Sequence, residues 1–225
     1  MKEQYAGDIH DYRKYALLRA LSKNYRHLGV CWMRTPNDSR TDGNNRRYVE
    51  NAERWRNYDE GLFDFLTTIQ TKSDDSRLSL IEEGGIIPRA SYFSDIIPDS
   101  PKDRASCLER CEQQFSECDL LFFDPDNGLD VPSKALGHKG SCKYLYREEV
   151  QRFYSSGKSL LIYQHFCREK REFFVKRLSN DLMKIAPQSS TKVFKTPHVA
   201  FFLIIHPTHK SALSEFSGSG LYSVV

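Results

Sequence analysis

Three short stretches place residues that can do chemistry at informative spacings. The first is Leu-Leu-Phe-Phe-Asp124-Pro125-Asp126-Asn127-Gly128. An apolar run of strand character delivers two carboxylates and an amide into a turn. Pro125 stiffens that turn and Gly128 permits a positive φ. Asp124 and Asp126, with the amide of Asn127, are hard oxygen donors of the kind that hold Mg²⁺ or Mn²⁺. Alternatively, Asp124 accepts a hydrogen bond from a substrate amine, or the aspartates only cap the following turn. The second stretch is Leu-Leu-Ile-Tyr163-Gln164-His165, again an apolar run ending in a polar group. His165 has the chemistry of a general acid or base or of a metal ligand, and equally that of a strand-end residue capping the next helix. Arg168, just beyond, is a candidate phosphate contact.

The third stretch is Tyr5-Ala-Gly-Asp8-Ile-His10-Asp11-Tyr-Arg-Lys14-Tyr15, in which Asp8, His10, Asp11 and Lys14 fall within about two helical turns. Asp8 reads as a helix cap and Asp11 with Lys14 as a neighbour pair. A fourth, polar stretch runs from Asn37 to Asn45 and contains Asp38, Asp42 and Gly43. The two aspartates suit ribose hydroxyls or a metal. Neither a Gly-x-Gly-x-x-Gly turn nor a Walker A loop is present, so a nicotinamide cofactor or an ATP P-loop is not expected. Behind this loop come Arg46, Arg47, Arg54 and Arg56, interleaved with Tyr48, Trp55 and Tyr58. Such a run can meet a nucleic-acid backbone and stack bases, or form a solvated helix face.

The elements that must position these groups alternate. Helical patterns cover 8–24, 46–56, 59–71, 76–83, 102–117, 146–155 and 169–185; strand patterns cover 28–33, 90–93, 119–123, 158–163, 191–195 and 199–205. The strands are short and apolar on both faces. This predicts a single α/β domain over 1–225, a doubly wound and mainly parallel sheet with a helical insertion at about 46–85. The last two strands are close enough for a hairpin, so one antiparallel edge strand is expected. In such a sheet ligands bind beyond the carboxyl ends of the strands. That rule selects the loops after Met33, Phe123 and Tyr163.

Composition narrows the class. The 225 residues carry 33 Lys and Arg against 30 Asp and Glu, a formal net charge of +3, which excludes a strongly basic nucleic-acid coat but not a local basic face. Hydrophobic residues make up 39%, enough for a sizeable core. No apolar run has the length of a membrane helix, and the first residues lack a signal-peptide core. A cytoplasmic setting without membrane attachment is expected. The six cysteines are then read as reduced; Cys107, Cys111 and Cys118 lack the tight pairs or nearby histidines of a zinc site.

Several of these features occur together in one family. The opening Tyr-Ala-Gly-Asp8-Ile-His10-Asp11-Tyr-Arg-Lys14-Tyr15 resembles the N-terminal motif of the J-type ribosomal RNA adenine-N6 methyltransferases. Leu-Leu-Phe-Phe-Asp124-Pro125 resembles the strand that carries their Asp-Pro-Pro-Tyr motif, and Gly157-Lys-Ser-Leu-Leu-Ile-Tyr163 resembles the strand that follows. The order of motifs matches across most of the chain. The resemblance implies a Rossmann-like methyltransferase fold and S-adenosylmethionine as cofactor. It places Asp8, His10, Lys14, Asp38, Asp42 and Gly43 on the cofactor side. Two departures stand out: Asp126 replaces the second Pro and Asn127 replaces the Tyr, which removes the base-stacking ring and adds a charge. The Gly-rich cofactor loop is also missing.

Three readings follow. One is an S-adenosylmethionine-dependent enzyme acting on a nucleobase or nucleic acid, with Asp124, Asp126, Asn127 and His165 as catalytic candidates and Arg46, Arg47, Tyr48 and Arg54 as nucleic-acid contacts. The second is a metal-dependent nuclease or phosphohydrolase, in which Asp124 and Asp126, with His165, hold Mg²⁺ or Mn²⁺. The third is a non-catalytic module that binds nucleic acid or protein.

Overall fold

A computed structural model describes residues 1–37, 45–213 and 221–225. The described chain forms an α/β protein with one seven-stranded mixed sheet. Helix α1 (Ile9–Leu21) precedes strand β1 (Leu28–Cys31). Helices α2 (Ala52–Trp55), α3 (Glu60–Ile69) and α4 (Asp74–Glu83) then lead to β2 (Ala90–Phe93). Helix α5 (Pro101–Gln114) joins it to β3 (Leu120–Phe123), and α6 (Arg147–Ser155) precedes β4 (Ser159–His165). Helix α7 (Arg171–Ile185) is followed by β5 (Ser190–Lys195), β6 (Val199–Ile205) and a short β7 (Ser223–Val224). The strand order is β2-β1-β3-β4-β6-β5-β7.

Strands β2, β1, β3 and β4 are parallel, and the remaining pairings are antiparallel. The antiparallel strand expected at an edge therefore lies inside the sheet. The crossover through α7 carries β5 one position beyond β4's neighbour, and the hairpin at Thr196-Pro-His198 folds β6 back into the gap. The two-residue β7 extends the edge and has no counterpart in the sequence patterns. The helix expected over 46–56 is broken: 3₁₀ turns at Arg47–Glu50 and Arg56–Tyr58 flank the single turn of α2.

Burial on both faces explains the continuous apolar runs. On one face Val30, Phe122, Leu161 and Phe201 pack with Leu17 and Leu18 of α1 and with Leu62, Phe63 and Leu66 of α3. On the other, Cys31, Phe123, Ile162 and Phe202 pack with α5, α6 and α7 through Leu108, Phe153 and Leu178. Successive strand residues alternate between the two cores, as the pleat requires. Register then sets the site. Cys31 pairs with Phe123, and Phe123 with Ile162, so Trp32, Asp124 and Tyr163 come next along the carboxyl edge.

A buried ion pair clamps the far layer. Arg104, 1% exposed, donates to both carboxylate oxygens of Glu149 at 2.5 and 2.9 Å and to the Tyr144 carbonyl at 2.7 Å. Removing one partner leaves a buried charge uncompensated, so Arg104→Ala is expected to lower unfolding free energy by about 3–5 kcal/mol in urea titrations. A change under about 0.5 kcal/mol, the range of ordinary surface substitutions, contradicts this view of the pair.

Candidate functional site

The carboxyl edge of β1, β3 and β4 opens into a cavity of about 330 Å³, and the three sequence motifs meet there. The amino end of α1 supplies the first wall. Gly7, at φ +86°, turns the chain into the helix; its N–H donates to Asp11 Oδ2 at 2.9 Å. A side chain is disfavoured there by the left-handed backbone, and its Cβ would lie 3.0 Å from Gln70 Nε2. Asp8 Oδ1 caps the helix, accepting from the N–H groups of His10 (2.8 Å) and Asp11 (2.9 Å). One turn later Lys14 reaches into the cavity. Its Nζ donates to Asp11 Oδ1 at 3.1 Å and to Asp124 Oδ2 at 2.7 Å, and lies 4.4 Å from the centroid of the Tyr163 ring. One ammonium thus joins all three motifs.

The turn after β3 forms the second wall. Asn127 N–H donates to the Lys143 carbonyl, and Leu145 N–H to the Gly128 carbonyl. Gln164 pins the turn from β4: its Oε1 accepts from Leu129 N–H at 2.8 Å, and its Nε2 donates to the His165 carbonyl at 2.9 Å. Gly128, at φ +89°, lies so close that a Cβ would sit 2.4 Å from the Gln164 amide. Asp126 Oδ2 accepts from the Thr35 hydroxyl at 2.7 Å, and Oδ1 lies 3.0 Å from the Met1 amino group. That amino group also donates to the carbonyls of Trp32, Met33 and Asp124.

Burial and charge set the protonation states. Desolvation raises the Asp8 carboxyl to about 8, the nearby Asp11 charge adding to it and Lys14 opposing it. Desolvation also raises Asp124, and Lys14 offsets it only in part. Burial alone lowers Lys14, but Asp124 and Asp11 outweigh it and hold the ammonium well above its ordinary value. Asp126 goes the other way: desolvation pushes it up, and the Met1 ammonium and Thr35 hydroxyl more than compensate. Both imidazoles at the cavity are neutral near pH 7. His10 is pushed down to about 4 by burial and then by Lys14 and Arg13, and His165 to about 4 by burial and then by Lys14.

Of the residues singled out from sequence, Asp8, His10, Lys14, Asp124, Asp126, Asn127 and His165 all line this cavity. Asp124 is only 1% exposed and its Oδ2 is taken by Lys14, so the accessible polar group of its turn is the exposed Asn127 amide. Asp38, Asp42 and Gly43 lie outside the described residues. The basic segment is corrected in part. Tyr48 is buried; its hydroxyl donates to the Gly7 carbonyl at 3.2 Å and its ring stacks on Tyr12 with centroids 5.5 Å apart, so it presents no face to a base. Arg46 donates to the Gln4 carbonyl at 2.8 Å and braces the N-terminal segment. Arg47, Arg54 and Arg168 are exposed. The sequence reading missed Tyr5, Tyr163 and Lys143 as lining residues and Gln164 as the pin. Tyr163 and Gln164 immediately precede His165 on the same strand end; for Lys143, in an irregular loop, no sequence signal exists.

Among the described residues no group of three or more His, Cys, Asp or Glu is arranged to hold a metal ion, and no helix is long and apolar enough to cross a membrane. At the opposite edge of the sheet, Ser159 Oγ lies 2.9 Å from His209 Nδ1, with Asp119 3.9 Å from Nε2. Ser159 is fully buried and also accepts from His206 N–H at 3.0 Å, so this set serves packing, not nucleophilic attack. Comparison with family models, curated proteins and solved structures returns no match.

Two outcomes follow. Gly128→Ala meets both a left-handed backbone and the Gln164 amide, and is expected to destabilise by more than about 1 kcal/mol in thermal or urea unfolding. An unchanged midpoint contradicts the pinning role. Asp8 keeps in the folded state a proton that the unfolded chain releases. Its contribution is therefore complete below its ordinary value of 3.8 and is lost as pH rises through about 8. Asp8→Asn retains the capping oxygen and should flatten the fall of stability with pH across that window, removing a slope of at most about 1.4 kcal/mol per pH unit. Equal slopes in both proteins rule out a protonated Asp8.

Proposed function

We propose that this chain is a methyltransferase-like enzyme that binds S-adenosylmethionine and acts on an exocyclic amine of a nucleobase, free or within a nucleic acid. One observation carries the proposal: Lys14 of the N-terminal motif and Asp124 of the Asp-Pro turn, the two segments on which the family resemblance rests, are 2.7 Å apart in one cavity at the carboxyl edge of the sheet. The α/β architecture is compatible with the Rossmann-like scaffold that the reading requires.

The donor set suits the cofactor. Its amino-acid end carries an ammonium and a carboxylate, and the Lys143 side chain, which lines the cavity and has no ion-pair partner among the described residues, is available to the carboxylate. His10, which also lines the cavity, has an Nδ1 buried without a hydrogen-bond partner. At about 330 Å³ the cavity falls at the small end of ligand pockets, roughly 300–1,000 Å³. When bound, the cofactor would supply an electrophilic methyl group, which the amine takes by direct displacement of the thioether leaving group.

The chain's own residues would then position more than activate. The Asn127 amide oxygen accepts an N–H of the target amine and orients its lone pair. Tyr5 and His165 offer ring faces at the rim, in place of the aromatic residue that Asn127 replaces. Neutral His10 or His165 accepts the proton the amine releases. Lys14 and Asp124 act as positioning residues, since neither is free to touch substrate. The same pairing weighs against the metal-dependent nuclease or phosphohydrolase reading. Asp124 and Asp126 each already face an ammonium, which a Mg²⁺ or Mn²⁺ ion would have to displace.

The test is a calorimetric titration of S-adenosylhomocysteine into EDTA-treated protein. Micromolar binding is expected, weakened about tenfold, or about 1.4 kcal/mol, in Lys143→Ala and retained in Asn127→Ala. Absence of binding overturns the proposal. Heat on adding Mn²⁺ instead, lost in Asp126→Asn, favours the metal reading.

A further inference from the structure

A second cavity, of about 610 Å³, opens at the other end of α1, and no residue that lines it also lines the first. Its size falls within the range of small-molecule pockets, roughly 300–1,000 Å³. The carboxyl end of α1 forms one wall, the Tyr58-Asp59 turn a second, and Pro88-Arg89, just ahead of β2, the third. Three cations line it, Arg19, Lys23 and Arg89, against one carboxylate, Asp59. That carboxylate is already spent. Its Oδ1 caps α3 by accepting from Leu62 N–H at 3.1 Å, and its Oδ2 accepts from Arg19 Nε at 2.6 Å. Among the described residues, Lys23 and Arg89 have no carboxylate within ion-pair distance, and Arg19 Nη2 has no acceptor.

Both guanidiniums are held in place by hydrogen bonds. Arg19 Nη1 donates to the Ile86 carbonyl while Nε holds Asp59. Arg89 Nη2 donates to the Ser22 carbonyl at the end of α1, and the Arg89 carbonyl accepts from Leu28 N–H of β1 at 3.0 Å. The Arg89 backbone sits at φ +56°, a left-handed conformation that is costly for a residue with a side chain. Its neighbours, not its own preference, keep it at the cavity. The negative end of the α1 dipole offsets part of the repulsion among the three charges, which explains how they gather without a free carboxylate. It leaves them short of a counter-ion.

We propose that this second cavity binds a small organic phosphate, its phosphate group on Arg19, Lys23 and Arg89 and its apolar body against Tyr58. Phosphate is favoured over carboxylate by how the donors are spread. A planar carboxylate is best held by a two-pronged face of one guanidinium. In both arginines each such face already has a committed nitrogen: Nε or Nη1 in Arg19, and Nη2, which the two faces share, in Arg89. What remains is single donors from separate walls, which suit a tetrahedral group whose oxygens point apart. Tyr58 is 41% exposed and, with Ala16, Ala20 and Pro88, gives the cavity an apolar side for the rest of the molecule. Such a ligand touches the last turns of the helix whose first turns carry Asp8 and Lys14, and it binds whether or not S-adenosylmethionine does.

Calorimetric titration with phenyl phosphate, inorganic phosphate and benzoate, at constant ionic strength in chloride, tests this. Phenyl phosphate is expected to bind, inorganic phosphate more weakly, and benzoate not measurably. Lys23→Gln and Arg89→Gln should each weaken phenyl phosphate several-fold, and together by about tenfold or more. Lys23 is exposed and braces no other element, so its variant reads the site even where Arg89→Gln destabilises the fold. Tyr58→Ala should bring phenyl phosphate down to the affinity of inorganic phosphate. The proposal fails if phenyl phosphate does not bind, or if the Lys23 and Arg89 variants leave its affinity unchanged. It fails equally if benzoate or inorganic phosphate binds as tightly as phenyl phosphate, or if Lys143→Ala, at the first cavity, abolishes the binding.

Discussion

The contact between Lys14 and Asp124 is the constraint on which the candidate site depends. Desolvating two such ions costs several kcal/mol each, regained only when geometry and additional hydrogen bonds are good. Here the ammonium has two carboxylates and an aromatic face, and the Asp11 partner is itself held by the Gly7 N–H. A pair of this kind tolerates little displacement. It therefore fixes the amino end of α1 against the carboxyl end of β3 and sets the width of the cavity between them. Gly7's left-handed backbone, the Asp8 cap and the hydrogen bonds of Tyr48 and Gln70 to the Gly7 carbonyl maintain the same approach from the helix side.

Charge around that pair is arranged with little redundancy. Three carboxylates crowd one lysine, and the least compensated of them, Asp8, keeps its proton. The two imidazoles stay neutral beside a buried cation. The result is a cavity whose accessible groups, Lys143 excepted, are hydrogen-bonding and uncharged, with the Lys14 and carboxylate ions withdrawn behind them. Such a surface suits orientation of a neutral acceptor better than stabilisation of a strong developing charge. On the proposed reading it also reconciles a turn with two aspartates with an amine substrate: one carboxylate is turned inward and the other is occupied by Thr35 and the Met1 amino group.

Much of this was readable from residue order. Leu120–Phe123 and residues 160–163 form unbroken apolar runs because both sheet faces are covered, and the polar group after each run must then stand at the carboxyl edge. The Asp8 cap follows from side-chain chemistry alone. What stayed hidden depends on tertiary contacts. Thr196-Pro-His198 signals a hairpin but not the slot in which it docks, so β6 was expected at an edge. Tyr48 sits among arginines, yet its ring is buried against Tyr12; a basic neighbourhood in sequence says nothing of which way one ring faces. Gln164 looks like any polar strand residue until Gly128 is found packed against its amide.

The separation of Lys14 from Asp124, 110 residues in sequence, also has a meaning in time. A ribosome extends the chain at roughly 5–20 residues per second, so several seconds pass between synthesis of the lysine and of its partner. Over that interval Lys14 has its neighbour Asp11 but not the Asp124 carboxylate that ties α1 to β3, so that link of the finished protein cannot form. The sheet closes later still, since β6 must be made before β4 gains its second neighbour. The first helix to be synthesised thus waits longest for the partner of its buried lysine, and a nascent chain stalled before residue 124 carries that lysine without its carboxylate on β3.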